Sequence, residues 1–336
     1  MTSAVLHQLL SDGAQHDAEY RGGLSNHLPM TLVALYALGA ADARLQAYAA
    51  LYAQRLSPAP AAQSWPRGDA WPSRLGERAA WPAYRQLFAE WLEHESGAEV
   101  LRQVLPQLLA GVAGAAFHGL IRVAYAASVG HAGELADALA YWACCHQRLP
   151  EPAPEDDTHP AADLDSDPGR VLAQLLHDAR NFRCNAGLIA DRTLAAAATP
   201  AYAQQVRRLR LDEPQEMLGR LARLAAEGYV QSHDFTVLHL ATSAHAMQVL
   251  WPLLDEPEAA VGHYWSAFAA AVLGTSWRPG AKPLPPSPDL PWPQIFQRAT
   301  SSDNEHVVKL VFSCREQFRA TGDEVYRRAA ARAVQA

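Results

Sequence analysis

The chain is short of charge, and the charge it has is not basic. Asp, Glu, Lys and Arg make up 19% of its 336 residues, and the formal net charge is -7. A nucleic-acid surface needs clustered Lys and Arg, so nucleic-acid partners are not expected. Strand patterning is also scarce. Apolar and polar residues rarely alternate with period two, whereas alanine-rich stretches carry helical spacing, which predicts an all-α fold. Cysteine is sparse: Cys144, Cys145, Cys184 and Cys314 form no C-x-x-C pair. That argues against a disulfide framework and predicts reduced thiols in a cytoplasmic protein.

Targeting and membrane signals are missing too. The stretch MTSAVLHQLLSDGAQHDAEYRGG has no basic start followed by an apolar core, so no signal peptide is expected. The longest small-apolar run, residues 108–127, is interrupted by His118 and Arg122. It reads as a buried helix and not as a membrane span. No fixed-period repeat is visible, which excludes a solenoid. With 49% hydrophobic residues, the chain supports a sizeable core, expected as one large multi-helix domain over 1–336.

Proline is present where structure must stop. Residues 56–73, 149–169 and 276–294 are Pro-rich and predict long loops. Helical tracts are predicted between them, including 28–55, 76–95, 98–117, 118–128, 234–252 and 303–333. Trp65, Trp71, Trp81, Trp251 and Trp292 each precede a proline. They read as rigid corners or as the lining of an aromatic pocket. The alanine-rich surface with these corners is compatible with a homodimer.

Of fourteen histidines, four sit in or at the start of strongly apolar helical tracts: His27, His118, His239 and His306. Ser25 and Asn26 precede His27 as turn and cap. Gly114, Ala115 and Gly119 around His118 leave room for something to approach the backbone. Three residues after His306 comes Lys309, on the same helix face and among Val307, Val308, Leu310, Val311 and Phe312. Any one such histidine fits a satisfied core position; as a set they suggest metal ligation from several helices. No H-E-x-x-H is present, and no E-x-x-H pair recurs with partner glutamates, so neither a zincin nor a ferritin-like di-iron site is supported.

Four pieces, SNHLPMTLVALYALGA, FHGLIRVAYA, HDFTVLHLATS and EHVVKLV, fall in order between residues 25 and 311. Together they resemble the questin oxidase-like family, whose fungal members open the ring of an anthraquinone with molecular oxygen. The resemblance implies an all-helical fold and one non-haem iron, held by four histidines and a lysine carboxylated on its side-chain nitrogen. Carried over residue by residue, the ligands are His27 after Asn26, His118 after Phe117, His239 five residues beyond Asp234, and the pair His306 and Lys309. Fungal members are longer and tend to have a second histidine where this chain has Arg122, so the substrate is expected to differ here.

Burial lowers a lysine's pKa, and a neutral amine adds carbon dioxide to become a carbamate anion. Four imidazoles and one carbamate suit Fe(II) and leave one octahedral position for dioxygen or substrate. The expected activity is an O2-dependent mono- or dioxygenase acting on an aromatic or quinone-type small molecule. Thr242, one turn past His239, is a candidate to hydrogen-bond oxygen there. Asn26, Asp234 and Asp303 are candidates to fix imidazole tautomers, with Asn26 and Asp303 equally readable as helix caps. Two other classes fit parts of the pattern: a zinc-type metallohydrolase with carboxylated lysine, and a non-catalytic helical ligand-binding protein.

Overall fold

The structure, a computed structural model, describes residues 3–66, 68, 70–150, 164–280, 283–286 and 289–335. Among these, the helices in chain order are α1 (Ala4–Gly13), α2 (Leu28–Ala37), α3 (Asp42–Ala53), α4 (Trp81–His94), α5 (Gly97–Leu109), α6 (His118–Val129), α7 (Ala132–Cys144) and α8 (Pro168–Asp178). They continue with α9 (Ile189–Ala197), α10 (Pro200–Val206), α11 (Pro214–Ser232), α12 (Phe235–Leu250), α13 (Pro257–Leu273), α14 (Trp292–Ser301), α15 (Glu305–Thr321) and α16 (Glu324–Ala333). One antiparallel hairpin, β1 (Glu19–Tyr20) and β2 (Leu24–Ser25), is the only sheet among the described residues. The all-α expectation holds, and all four cysteines are free.

Four helices form the centre. α2, α6, α12 and α15 pack in a closed ring, α2 on α6, α6 on α12, α12 on α15 and α15 on α2. Each is buried on every side over its central stretch: Leu28–Leu35, His118–Ala126, Thr236–Met247 and Val307–Cys314. Helices apolar all round belong inside a core, not on a surface. The others wrap this ring, with α3 on α2, α7 on α6, α11 on α12 and α16 on α15.

The four central helices run in one sense. Each begins at the same end, where its histidine stands. Their later turns meet again at a groove lined by Ala37, Val129, Val249 and Phe312. A parallel bundle cannot be closed by short hairpins. The chain therefore returns through the intervening helices before each new central one.

Several sequence expectations are revised. α1 was not among the predicted tracts; Ser3 caps it, accepting a hydrogen bond from the Val5 amide. The tracts 28–55 and 303–333 each divide, because Gly39 (φ 88°) and Gly322 (φ 70°) take the left-handed conformation that stops a helix. Trp71, Trp81, Trp251 and Trp292 open helical segments with the proline second. There the missing N–H and fixed φ suit a helix start. Residues 151–163 of the predicted acidic loop lie outside the described residues. Among the described residues, no helix is long and apolar enough to cross a membrane.

Candidate metal centre

The cluster is built at helix beginnings. His27 directly precedes α2. Asn26 Oδ1 accepts from the Leu28 amide at 3.0 Å, and Asn26 Nδ2 donates to the Asp17 carbonyl at 3.0 Å. The His27 amide donates to the Tyr52 hydroxyl at 3.2 Å, fixing its backbone to α3. His239 lies on the second turn of α12, whose first amides donate to Asp234. His306 is the second residue of α15, capped by Asn304.

His118 is placed by strain. Ala115, Ala116 and Phe117 have φ of 45°, 54° and 67° in succession, a left-handed turn made without glycine. Each such residue costs about 1 kcal/mol or more, so surrounding contacts must impose the turn. Gly114 and Gly119 show how: a Cβ at Gly114 would stand 1.8 Å from the Cys145 carbonyl oxygen, and one at Gly119 2.6 Å from the Trp142 ring. The close approach predicted around His118 is thus made by the end of α7. Here the predicted tract 98–117 is corrected, because α5 ends at Leu109 and the turn intervenes.

These four starts bring four rings together. The His27 and His118 rings stack at 4.6 Å, and His27 meets His306 edge-on at 4.7 Å. His239 lies 4.9 Å from His118 and 5.3 Å from His306, between ring centres. One ligand atom from each of His27, His118 and His306 lies within 4.8 Å of the others, close enough to hold a metal ion. Lys309, one turn beyond His306, is 0% exposed.

Hydrogen bonds fix which ring nitrogens are free. His118 Nδ1 lies 2.5 Å from the Ala115 carbonyl, and His239 Nδ1 lies 2.7 Å from the Phe235 carbonyl. A carbonyl only accepts, so both Nδ1 atoms carry hydrogen and both Nε2 atoms keep their lone pairs. His118 Nε2, His27 Nδ1 and Lys309 Nζ are buried with no hydrogen-bond partner. Each costs about 1–3 kcal/mol if left so, and native cores leave few. Three in one cluster make this the candidate place for a bound group.

Electrostatics agree. Burial, and after it the Lys309 charge, hold His27, His118 and His306 well below the usual imidazole range and bring His239 to about 3. Burial brings Lys309 down to about 7, against a smaller upward pull from Glu305. Four helix N-termini, each carrying about half a positive charge, begin around the same place and further disfavour protonation of these nitrogens. The cluster therefore presents neutral nitrogens with lone pairs, the form in which imidazole binds metal.

A sequence model of the questin oxidase-like family matches residues 24–314. The chain belongs to this family. The match spans most of the 336 residues and contains all four histidines and Lys309. Membership makes the protein an oxidoreductase. A comparison with curated proteins finds no match.

The remaining sequence candidates are placed differently. Asn26 and Asp234 serve as caps, and Asp303 pairs with Arg44 at 2.8 Å. None of the contacts described for these three goes to an imidazole; backbone carbonyls take that part for His118 and His239. Thr242 is fully buried, and its hydroxyl donates to the Leu238 and His239 carbonyls at 3.2 and 3.1 Å. Arg122 is buried in a two-pronged pair with Glu134, at 2.6 and 2.9 Å.

Two residues escaped the sequence reading. Phe235, 54% exposed, lays its ring 4.7 Å from His239 and 4.6 Å from His306. Glu305 faces His27 and His306. A usable signal was also overlooked: the chain has only two lysines, Lys282 and Lys309, so a lysine in an apolar helix is not a by-product of lysine-rich composition.

Proposed function

We propose that this protein is a metal-dependent oxygenase. Its centre takes one iron(II), held by His27, His118, His239, His306 and a carboxylated Lys309. The observation that carries the reading is the convergence of four imidazoles beside a fully buried Lys309, with His118 Nε2 and Lys309 Nζ unpartnered. A hydrophobic core would have replaced them, and a satisfied polar network would have bonded them. The donor set of neutral imidazole nitrogens and one anionic oxygen suits a divalent first-row metal. When bound, iron(II) would lift the spin barrier between dioxygen and a closed-shell organic molecule, and in a dioxygenase reaction the substrate itself would supply the electrons.

The chain's own residues do the rest. With a pKa of about 7, about half of Lys309 is neutral at neutral pH, against less than about 0.1% at an ordinary lysine pKa. The neutral Nζ adds carbon dioxide and releases one proton, leaving a carbamate anion. The helix N-termini favour that anion over an ammonium ion. The Ala115 and Phe235 carbonyls orient His118 and His239 with Nε2 inward.

Substrate approaches where the cluster meets solvent, at Phe235 and the part-exposed His306. Phe235 offers an aromatic face to a planar ring, in keeping with the anthraquinone-type substrates associated with the family. Thr242 stands one turn beyond His239. Its hydroxyl hydrogen reaches oxygen at the centre only by turning away from its own helix.

Metal analysis of protein purified without chelators tests the reading, together with oxygen uptake on a hydroxyanthraquinone. About one iron per chain is expected. Finding no stoichiometric transition metal removes the metal-centre reading, and two zinc ions per chain in place of one iron would count against the oxygenase.

A further inference from the structure

His118 and His239 have backbone carbonyls behind their rings. His27 and His306 have none described, and both turn Nδ1 toward the same side chain. Glu305 Oε1 lies 3.7 Å from His27 Nδ1 and 4.0 Å from His306 Nδ1. The other oxygen, Oε2, lies 3.7 Å from Arg55 Nη1. Arg55 in turn covers the Tyr52 ring at 5.0 Å, and the Tyr52 hydroxyl receives the His27 amide. Glu305 is therefore held from behind by Arg55, just past the end of α3, while its other oxygen looks into the cluster. Its side chain is 13% exposed, too buried to count as an ordinary surface carboxylate.

We propose that Glu305 is a positioning residue for the metal centre. One carboxylate oxygen receives the Nδ1 hydrogens of both His27 and His306 and so aims both Nε2 lone pairs inward. The inference rests on the metal-centre reading and adds to it a part that the ligand set alone does not contain. With it, all four imidazoles obey one rule, Nδ1–H to an oxygen and Nε2 to the centre. The distances exceed a hydrogen bond by about half an ångström to one ångström, a gap that a small side-chain rotation closes. Charge supports the assignment: a carbamate and Glu305 carry two negative charges, matching one divalent cation inside a low-dielectric core. The Lys309 ammonium is the obvious competing partner, one helical turn away, but Lys309 Nζ has no hydrogen-bond partner.

The test is made on the full-length chain with Glu305→Gln, Glu305→Ala and Glu305→Asp. Co(II) affinity is read by competition with a chromophoric chelator. Imidazole 15N–1H signals are read on the diamagnetic Zn(II)-loaded protein. Losing an oxygen that orients a ligating histidine typically weakens metal binding by about 10–100-fold. That loss is expected for Glu305→Ala, with Glu305→Asp recovering part of it. The Nδ1–H signals of His27 and His306 should vanish into exchange while those of His118 and His239 persist, which a merely structural role for Glu305 would not produce. Glu305→Gln, close in shape, carries the test if the alanine variant folds poorly. Wild-type-like affinity within twofold, or retained His27 and His306 signals, in Glu305→Ala or Glu305→Gln overturns the proposal. Failure of the wild type itself to take up metal removes the underlying reading, and this one with it.

Discussion

The same four helices bury histidine at both ends, with different results. At the starting end, four imidazoles and Lys309 converge, and the unpartnered nitrogens belong to three different residues. At the other end His245 stands alone. It packs edge-on against Phe312 at 5.2 Å and Tyr125 at 6.3 Å, under a groove of about 380 Å³. Its Nδ1 also lacks a partner, and burial lowers it to about 4. A single neutral histidine among aromatics is tolerable, because its one unmet bond costs little beside the area it buries. Four with a lysine are not, unless something binds them. The difference lies in convergence, not in burial.

Removing one histidine from each end tests the difference directly. His118→Ala is expected to lower iron from about one per chain to below about a tenth and to abolish oxygen uptake, a loss of at least about a thousandfold. Lys309→Met should behave similarly while folding well, since it replaces a buried amine with an apolar side chain of similar length. His245→Ala should leave metal content unchanged. Equal metal loss in His118→Ala and His245→Ala, by mass spectrometry of the purified proteins, would erase the distinction between the ends.

The two glycines flanking α6 make a second contrast. Gly114, before the left-handed turn, has no room for a Cβ; Gly130, after the helix, has nothing within 4 Å and a φ of 65°. Gly114→Ala should cost about 3 kcal/mol or more, because backbone must move, and should weaken metal binding by displacing His118. Gly130→Ala should cost about 1 kcal/mol from backbone strain alone and spare the metal. Chemical denaturation and metal titration of the two variants read both effects.

This contrast also marks what was legible in the sequence. His27, His118, His239, His306 and Lys309 stood out because polar residues in apolar helical tracts are conspicuous. All-helical architecture followed from spacing. The tautomer-fixing carbonyls of Ala115 and Phe235 did not, since every residue has a carbonyl and only backbone conformation aims it. Nor did the left-handed turn: A-G-A-A-F reads as helix, and packing against Cys145 and Trp142 overrides that preference. Glu305 was visible only as a neighbour of Lys309 along its own helix. Its contact with His27 joins chain segments that no local pattern connects. Gly39 and Gly322, by contrast, were readable stops inside tracts taken as continuous.

Protonation separates the ends by pH. In metal-free protein, Lys309 titrates at about 7, below its ordinary 10.5. Between those values the unfolded chain holds a proton that the folded chain lacks, so stability rises with pH across that window. The slope reaches at most about 1.4 kcal/mol per pH unit, and Lys309→Met should remove it. His245 does the same lower down. Its pKa is about 4 against an ordinary 6.5, so its contribution is complete above 6.5 and is lost as pH falls toward 4. The stability difference between wild type and His245→Phe should therefore change with pH only between about 4 and 6.5. Melting curves of chelator-treated protein across both windows check the assignment, and a wild-type to His245→Phe difference that still changes with pH above 7 would contradict it.

The smallest expected effect tests whether anything between the ends takes part in chemistry. Thr242 lies on α12 between His239 and His245, with its hydroxyl hydrogen given to its own helix. Both accepting carbonyls belong to helical residues, so Thr242→Val strands no buried donor and should change stability by less than about 1 kcal/mol. A hydroxyl that only satisfies its helix is dispensable for turnover; one that rotates toward oxygen is not. The proposed role predicts that Thr242→Val lowers kcat by about tenfold with iron content and KM unchanged, and that Thr242→Ser, which can make the same rotation, restores most of it. A kcat within twofold of wild type for Thr242→Val would confine Thr242 to the helix. The chemistry would then end at the ring of ligands, with no contribution from the shaft of the bundle.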